Sequence, residues 1–357
     1  MVKRIVKILK TVIIFFVCLC ITVLILLFFV RNVGKEQLVV SGEEYRNNGE
    51  FSNSKDIVTY KGDSYKSNSD IFTILIMGID EERVATIGGQ SWSASGESIA
   101  GGHADALFLA ILNQHERKLQ LISINRNSMV DVDVWDENGN YIGVFTKQVA
   151  LQHGYGDGKE ESCKRQIKTV SRMLKDIPIN SYVAISMDAI PELNDAVGGI
   201  QVEVLNDIIY PEYNMNLNKG EIVTLYGEDA YWYVRLRNEG VFNSNELRLQ
   251  RQKQYLKAYV DKVIEETQKD PRMPLEIYKT LEKYIVTDID ISRMTYLATE
   301  VLNYNIELDD IRSIPGETVQ GNNFEEYYID NEGLEEMIFE IFYTKVKNDI
   351  KFEGDSL

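Results

Sequence analysis

Histidine and cysteine are scarce in this chain of 357 residues, which contains three of each. No histidines follow the His-x-His or His-Glu-x-x-His spacing, so the sequence argues against a zinc site. It also lacks the Gly-x-Ser-x-Gly turn of serine hydrolases and the glycine-rich loop of P-loop nucleotidases. These absences argue against three common classes of enzyme.

The few cysteines exclude a disulfide framework. Cys18 and Cys20 are two residues apart inside an apolar run, which is too close for normal disulfide geometry. Cys163 is the third cysteine and has no partner in the rest of the chain. We therefore expect a buried structural thiol there, and neither a metal ligand nor a nucleophile.

The start of the chain lacks acidic residues and alanine, which first occur at Glu36 and Ala85. Residues 11–30 carry no charge, and about 20 residues at ~1.5 Å each cross the ~30 Å core of a bilayer. We therefore predict a transmembrane helix at 11–30. The alternative is a cleaved signal peptide, but cleavage requires small residues that this run lacks.

Basic residues set the orientation of the predicted span, because the more basic side stays in the cytoplasm. Four of them precede it: Lys3, Arg4, Lys7 and Lys10. We expect residues 1–10 to be a cytoplasmic tail and the C-terminal domain to lie outside the cell. The protein would then be a single-pass protein of the cell membrane, in contact with membrane lipid.

The predicted outer portion is strongly acidic. Six of the 38 basic residues precede Glu36 and none of the 55 acidic ones does, so the portion from Glu36 carries a formal charge of −23. Such a surface repels nucleic acid, and no nucleic-acid partner is expected. It also repels anionic substrates, so a phosphate site requires a local basic pocket.

Residues 31–69 are polar and predict an extracellular linker, and residues 70–357 predict one domain. Its fold class is α/β, a central mixed sheet covered by helices on both faces, because buried strands alternate with helices. Residues 81–101 predict a mobile loop. Strands are predicted at 72–79, 106–112, 119–124, 182–187 and 200–205, with a hairpin at 113–118. Helices are predicted at 146–153, 160–175, 189–197, 227–235, 246–266, 275–284, 291–302 and 334–343.

Two aspartates and one arginine lie at the ends of predicted strands. Asp80 follows one buried strand and Asp105 precedes the next, so neighbouring strands would bring both carboxylates to one cation. The alternative is that each aspartate only shapes a turn. Arg126 follows a third strand and is either a salt-bridged surface residue or a substrate clamp.

Four further arginines lie close together in the sequence. Arg235 and Arg237 follow an aromatic segment and would repel each other unless an anion lies between them. Arg248 and Arg251 share one helix face near a helix start, which favours negative charge. The four predict a pyrophosphate site. The alternative is an exposed basic face paired with Glu239 and Glu246.

Several fragments in a fixed order resemble the LytR–CpsA–Psr family of cell-wall glycopolymer ligases. They are TILIMGID, GGHADALFLAIL, LQLISINRNSM, GYGDG, PINSYVAISMDAIPELNDAVGGIQVEV, GEDAYWYVRLR and NELRLQRQKQYLKAYV. Each fragment is weak alone, but their order and spacing over residues 71–264 are specific. The single N-terminal span also agrees with that family's topology.

The resemblance implies a phosphotransferase that moves a glycopolymer from an undecaprenyl-pyrophosphate carrier to peptidoglycan. It implies Mg²⁺ on Asp80 and Asp105, and Mn²⁺ accepts the same oxygen ligands. Asp105 and Arg126 would be catalytic, and a pocket between sheet and helices, lined from 189–197 and 231–234, would take the polyprenyl chain. The residues implied for the diphosphate are Arg126, Arg235, Arg237, Arg248, Arg251 and Gln252.

The chain departs from the family pattern at three positions. His103 stands where the family usually has Arg, Asn127 where it usually has Asp, and Asn245 where it often has Asp. Asn keeps hydrogen bonding but loses a charge and cannot act as a base. Two other functions therefore stay open: a polyprenyl-pyrophosphate hydrolase with water as acceptor, and a lipid-binding regulator without turnover.

Overall fold

The computed structural model describes residues 57–80 and 101–346, except 137, 239, 271, 291, 295 and 298–303. The predicted tail and the start of the linker lie outside this part, as does nearly all of the predicted mobile loop. Within it, no helix is both long enough and apolar enough to cross a membrane, and the predicted span at 11–30 is not covered.

The chain divides into two units, and the site lies in the one formed by Asn53–Asp288 and Ile306–Leu357. The other unit is described only within 289–305, where the Asp290 carboxylate accepts a hydrogen bond from the Arg293 amide at 2.9 Å. Most of the helix predicted at 291–302 is therefore outside the description.

A six-stranded mixed sheet in the order β13-β8-β3-β4-β5-β14 forms the centre of the larger unit. β3 pairs antiparallel with β4 and parallel with β8, and β4 pairs antiparallel with β5. The strands are β1 Ile57–Tyr60, β2 Asp63–Ser67, β3 Ile71–Asp80, β4 His103–Asn113, β5 Lys118–Ile124, β6 Met129–Trp135, β7 Tyr141–Gln148, β8 Ser181–Ser186, β9 Ile200–Glu203, β10 Ile208–Tyr210, β11 Met215–Leu217, β12 Ile222–Leu225, β13 Ile285–Thr287, β14 Asn305–Ser313, β15 Gly316–Gln320, β16 Glu325–Ile329 and β17 Tyr343–Lys345.

The helices with described bounds are α1 Glu160–Met173, α2 Ile190–Ala196, α3 Glu228–Arg235, α4 Ser244–Lys269, α5 Met273–Leu281 and α6 Asn331–Phe342. Short 3₁₀ turns are Val149–Leu151, His153–Tyr155, Met187–Ala189 and Pro211–Tyr213. One face of the sheet packs on α1 and α6 in the main apolar cluster. Side chains of the opposite face, such as Phe108 and Leu121, are also buried, so the predicted mixed sheet has two covered faces.

The helix predicted at 146–153 is wrong. Residues Met129–Trp135 and Tyr141–Gln148 form an antiparallel hairpin, and two 3₁₀ turns follow it. The Asp136 carboxylate closes the turn by accepting from the amides of Asn138 and Asn140 at 2.9 and 2.7 Å. Val, Phe and Thr at 144–146 favour a strand once this partner strand is available.

The segment predicted as linker contains structure at its end. β1 and β2 form a hairpin around Lys61 and Gly62, which both have positive φ (48° and 87°), as a two-residue hairpin turn requires. β17 then pairs with β2, so the far end of the chain completes this small sheet. The described fold therefore begins before residue 70.

Candidate functional site

The predicted site residues of β3, β4 and β5 lie where these neighbouring strands begin or end, along one edge of the central sheet. Asp80 ends β3, Asp105 lies at the start of β4, and Arg126 follows the end of β5. Because β4 runs antiparallel to both neighbours, these three strand ends share an edge. Ligands of open α/β sheets bind at such edges.

A β-bulge places Asp105. In the β3–β4 register, Gly78 lies opposite Ala106 and Ile79 opposite Ala104, which leaves Asp105 as the extra residue. Bulges re-aim side chains beside active sites. Gly78 permits the close approach, because a Cβ there would lie 3.1 Å from the Cβ of Ala106.

Asp105 joins two arginines from distant parts of the chain. One carboxylate oxygen lies 2.9 Å from Nη2 of Arg126, and the other lies 3.4 Å from Nη1 of Arg248. Arg126 and Arg248 are only 9% and 4% exposed, so the group is largely removed from water. The geometry makes Asp105 the anion that holds these two guanidinium groups side by side.

Asp80 makes the third ion pair of the site. Its Oδ2 accepts from Nε and Nη2 of Arg235 at 3.0 and 2.6 Å. The Arg235 guanidinium also lies near the rings of Tyr231 and Trp232, with its central carbon 5.5 and 5.7 Å from their centroids. α3 therefore presents one arginine to the carboxyl end of β3.

Asparagine side chains connect the arginines. Asn245 accepts from Nη2 of Arg248 at 2.8 Å and donates to the side-chain oxygen of Asn125 at 2.8 Å. The same oxygen of Asn125 accepts from the amide of Asn127 at 3.0 Å. Because Asn125 needs a donor opposite it, the amide at Asn245 has a role that a carboxylate cannot fill.

Charge is unbalanced toward positive in this group. Burial acts to raise the pKa of Asp105, but nearby Arg126 and Arg248 outweigh it and lower that pKa to about 2. Burial, together with the charges of Arg126 and Arg237, lowers the pKa of Arg248 to about 9 although Asp105 opposes this. An anion bound here would relieve the crowding of guanidinium groups.

His103 lies directly opposite Asp80 in the sheet. Burial and then the charge of Arg126 lower its pKa, against the opposing effect of Asp105 and Asp80. The imidazole is therefore neutral at pH 7, and it supplies none of the positive charge that an arginine would bring to this position.

The side chains of Arg251 and Gln252 form hydrogen bonds within the protein. Arg251 donates to the carbonyls of Tyr233 and Leu236 and to the Asn206 side chain, and Gln252 donates to the carbonyl of Val234. These bonds fix the segment that carries Arg235 and Arg237. The predicted diphosphate contact of Arg251 and Gln252 remains a prediction, and the observed contacts give them a supporting role.

The alternative prediction, an exposed basic face, is wrong for the two arginines of α4. Arg248 and Arg251 are 4% and 2% exposed. Glu246 accepts from Gln250, and Glu239 lies outside the described residues. The start of α4 therefore turns its arginines inward.

Sequence reasoning missed Glu325 of β16, a buried carboxylate at the start of α4. Its two oxygens accept from the amides of Ser244 and Asn245 at 3.0 and 3.3 Å. The free amides expected to attract phosphate at this helix start are thus used by the protein. No local signal marks Glu325, because its partners are about 80 residues away in the sequence.

The site has hydrogen-bond donors suited to an anion and carboxylate oxygens suited to a hard cation. Nε of Arg126 is buried and has no hydrogen-bond partner among the described residues. No cluster of three acidic, histidine or cysteine side chains occurs in that part of the chain. Mg²⁺ commonly takes one or two carboxylates plus substrate phosphates, and Asp80 and Asp105 fit that pattern of oxygen donors.

The LytR_cpsA_psr family model matches residues 36–342. The chain belongs to the LytR–CpsA–Psr family. The resemblance inferred from the sequence fragments is thereby confirmed, and the matched region contains every site residue described above. Several relatives of this chain are named as teichoic acid transferases.

Two related transferases share this family. The chain is 30% identical to the polyisoprenyl-teichoic acid–peptidoglycan teichoic acid transferase TagU of Halalkalibacterium halodurans over 197 residues, which are 54% of either chain. It is 29% identical to TagT of Bacillus subtilis, covering 56% of this chain and 54% of that one. The chain therefore spans about half the length of these two relatives.

Solved structures of LytR–CpsA–Psr proteins have the same fold. The crystal structure of TagV from B. subtilis gives a TM-score of 0.54 at 25% identity, covering 76% of this chain and 96% of that one. The structure of TagT bound to LI-WTA gives a TM-score of 0.52 at 21% identity, covering 76% and 89%. The central mixed sheet of the two proteins corresponds to the one described here.

Proposed function

We propose that this chain transfers a glycopolymer from an undecaprenyl-pyrophosphate carrier to peptidoglycan. The observation that carries the proposal is the convergence of Asp105, Arg126 and Arg248, with Asp80 and Arg235 at the same sheet edge. Relatives named as polyisoprenyl-teichoic acid–peptidoglycan transferases support the same chemistry. Guanidinium groups match the geometry and charge of a diphosphate.

The proposed reaction replaces the anhydride oxygen that bridges the two phosphorus atoms by an ester oxygen of the acceptor. A hydroxyl oxygen of peptidoglycan attacks the phosphorus that carries the glycan, and the bond from that phosphorus to the bridging oxygen breaks. Polyprenyl phosphate leaves, the hydroxyl proton passes to solvent, and a phosphodiester joins glycan and peptidoglycan. Such a reaction requires positioning and charge neutralisation more than covalent catalysis.

We assign the diphosphate contacts to Arg126, Arg235, Arg237 and Arg248. Arg126 has the unpartnered buried Nε, which suits a phosphate oxygen. Arg251 and Gln252 then support the loop through their backbone contacts. Asp105, with a pKa of about 2, is a weak base, so it would orient the acceptor hydroxyl and hold Arg126 and Arg248.

In this proposal Asp80 and Asp105 would hold Mg²⁺ together with the substrate diphosphate. The cation would supply further neutralisation of phosphate charge. Mn²⁺ accepts the same ligands, so the metal requirement is tested with both ions. The residues' own contribution is to keep the arginines at fixed positions before substrate arrives.

The predicted membrane anchor at 11–30 agrees with a lipid-linked donor. It would hold the domain at the outer membrane surface, where the polyprenyl chain of the carrier is embedded. Residues of 189–197 and 231–234 remain our candidates for contacts with that chain. Tyr231, Tyr233 and Val234 are buried core residues of an apolar cluster beside α4, so the partly buried Ile190 and Trp232 are the better candidates.

The proposal is tested by incubating the full-length chain in detergent with Mg²⁺, a labelled polyprenyl-diphosphate glycan and peptidoglycan oligomers. We expect a glycan–peptidoglycan conjugate that falls at least about 100-fold in Arg126→Ala and Asp105→Ala. Arg312→Ala is a matched control, since Arg312 makes a surface ion pair with Glu340.

The other outcomes identify the alternatives. Free glycan phosphate without conjugate would indicate hydrolysis with water as acceptor. Binding of the donor with neither product, in the presence of Mg²⁺ or Mn²⁺, would indicate a regulator. Either result would overturn the proposed transfer.

A further inference from the structure

His153 is fully buried behind the start of β4, outside the group of arginines. Its Nδ1 lies 2.8 Å from the carbonyl of Gly101 and 3.3 Å from that of Gly102. A carbonyl oxygen only accepts, so Nδ1 carries the proton. Nε2 then offers a lone pair, and the thiol of Cys163, with its Sγ at 3.8 Å, donates to it.

Cys163 is thus the buried structural thiol that its isolation in the sequence predicts. Burial raises its pKa to about 12, so the thiol stays protonated and can donate. Burial also lowers the pKa of His153, which keeps the imidazole neutral with one acceptor nitrogen. The two groups fix the tautomer in which Nδ1 donates to Gly101.

Gly101 lies in a sterically confined position beside His153. Its amide donates to the carbonyl of Gly154 at 3.0 Å, while its own carbonyl accepts from His153. A Cβ at Gly101 would lie 2.6 Å from the carbonyl oxygen of His153 and 2.8 Å from the Ser162 hydroxyl oxygen. The residue is therefore clamped on both sides of its backbone, and only glycine fits.

The two backbone hydrogen bonds of Gly101, to His153 and Gly154, are called the clamp below. The clamp restrains the part of β4 beside the bulge. Asp105 has no partner opposite it in β3, and only His103 and Ala104 pair with β3 before the bulge. Two ladder positions alone leave this short segment free to fray. A fixed point at Gly101 restrains it from the other end.

We propose that His153 is a positioning residue, whose Nδ1–H holds Gly101 so that Asp105 meets Arg126 and Arg248. Its effect on turnover rests on the proposed function, whereas the clamp itself does not. His153 touches no substrate, because it is buried between Gly101 and Cys163.

Three substitutions distinguish the effect of the Nδ1–H donor of His153 from the effect of its side-chain volume. In His153→Asn the side-chain amide nitrogen takes a position like that of Nδ1 and can donate to Gly101. In His153→Gln the donor lies where Nε2 was, and His153→Leu keeps volume without a donor. His115→Leu is the matched control, since His115 is exposed in the turn between β4 and β5.

The first readout is backbone hydrogen exchange of the full-length chain over residues 101–106. We expect exchange about tenfold faster in His153→Leu and His153→Gln, and near the unmodified rate in His153→Asn and His115→Leu. The second readout is steady-state transfer. There kcat falls about 10- to 100-fold in the Leu and Gln variants, with KM nearly unchanged, and Asn restores it.

Unchanged exchange in folded His153→Leu would overturn the clamp. Faster exchange with unchanged kcat would overturn the positioning role. If His153→Leu does not fold, the Asn and Gln pair decides, and equal exchange in the two would refute the donor argument. If the unmodified chain transfers no glycan, the proposed function fails while exchange still decides the clamp.

Discussion

Asp105 accepts two guanidinium groups although its side chain is only 13% exposed. Burying a carboxylate is costly unless charged partners compensate, and removing one partner of a buried pair typically costs about 3–5 kcal/mol. The bulge at Asp105 and the amide of Asn245 both keep these partners in place. The proposed catalytic geometry and local stability therefore depend on the same residue.

The lowered pKa of Asp105 predicts a pH-dependent part of stability. A carboxylate with a folded pKa near 2 and an ordinary unfolded value near 3.8 stabilises the fold above about pH 4. That contribution, about 2 kcal/mol, is lost as pH falls through 2. Urea unfolding of the unmodified chain and Asp105→Asn should give a difference in unfolding free energy that is constant from pH 5 to 7 and shrinks below pH 4. A difference independent of pH down to 2 would refute it.

The residues that depart from the family pattern can be interpreted through their contacts. Asn245 joins Arg248 to Asn125, and Asn127 lies 3.4 Å from Nη1 of Arg126. Both amides keep the arginines in a hydrogen-bonded frame without adding negative charge. The site thus retains a surplus of positive charge for an anionic ligand.

At the scale of elements, the start of α4 is held by a strand that is distant in the sequence. Glu325 accepts from its first amides, and the neighbouring Tyr327 amide donates to the carbonyl of Asn127 at 3.0 Å. The hairpin of β15 and β16 therefore supports the turn of Arg126 and the helix of Arg248 together.

We expect Glu325→Ala to lower the free energy of unfolding by about 1–3 kcal/mol, because the buried Asn245 amide loses its acceptor and the helix loses a favourable charge. The Ser244 amide loses one of two acceptors and keeps the Val241 carbonyl. Chemical denaturation measures this change. Glu317→Ala in the exposed part of β15 is the control and should change stability by less than about 0.5 kcal/mol. Equal effects of the two substitutions would rule out the capping role.

The strands that carry the site could be predicted from the sequence, because 72–79 and 106–112 are long apolar runs and 119–124 is rich in leucine and isoleucine. The hairpin at 129–148 is marked only in part. Its β6 alternates valine with aspartate and Asn138-Gly139 is a hairpin turn signal, but the exposed β7 has no strict alternation. Glu325 and β14 to β16 contribute through contacts that are distant in sequence, and no motif precedes them. The bulge at Asp105 also depends on pairing that the sequence does not display.

At the scale of the whole molecule, a chain of net charge −17 concentrates buried arginines at one sheet edge. Long-range charge repels anions, so binding depends on this local group. Inorganic pyrophosphate should stabilise the folded chain by about 2.7 kcal/mol at 100 times its Kd, which raises Tm by several degrees. Differential scanning calorimetry measures the shift.

The same titration with Arg248→Gln gives the control. Gln keeps a hydrogen-bond donor but removes the charge, so its Tm should respond much less to pyrophosphate. The shift in the unmodified chain should also decrease with added salt, although less than for an exposed ion pair. An equal shift in Arg248→Gln would place the binding elsewhere.

In this proposal Asp80, Asp105 and the four arginines form one diphosphate site. A crystal structure of the chain with Mg²⁺ and methylenediphosphonate, which cannot be hydrolysed at its bridge, tests it most directly. We expect the two phosphonate groups within hydrogen-bond distance of Arg126, Arg235, Arg237 and Arg248, with Nε of Arg126 donating to one of them. An analogue bound away from these guanidinium groups, or none bound at saturating concentration, would contradict it.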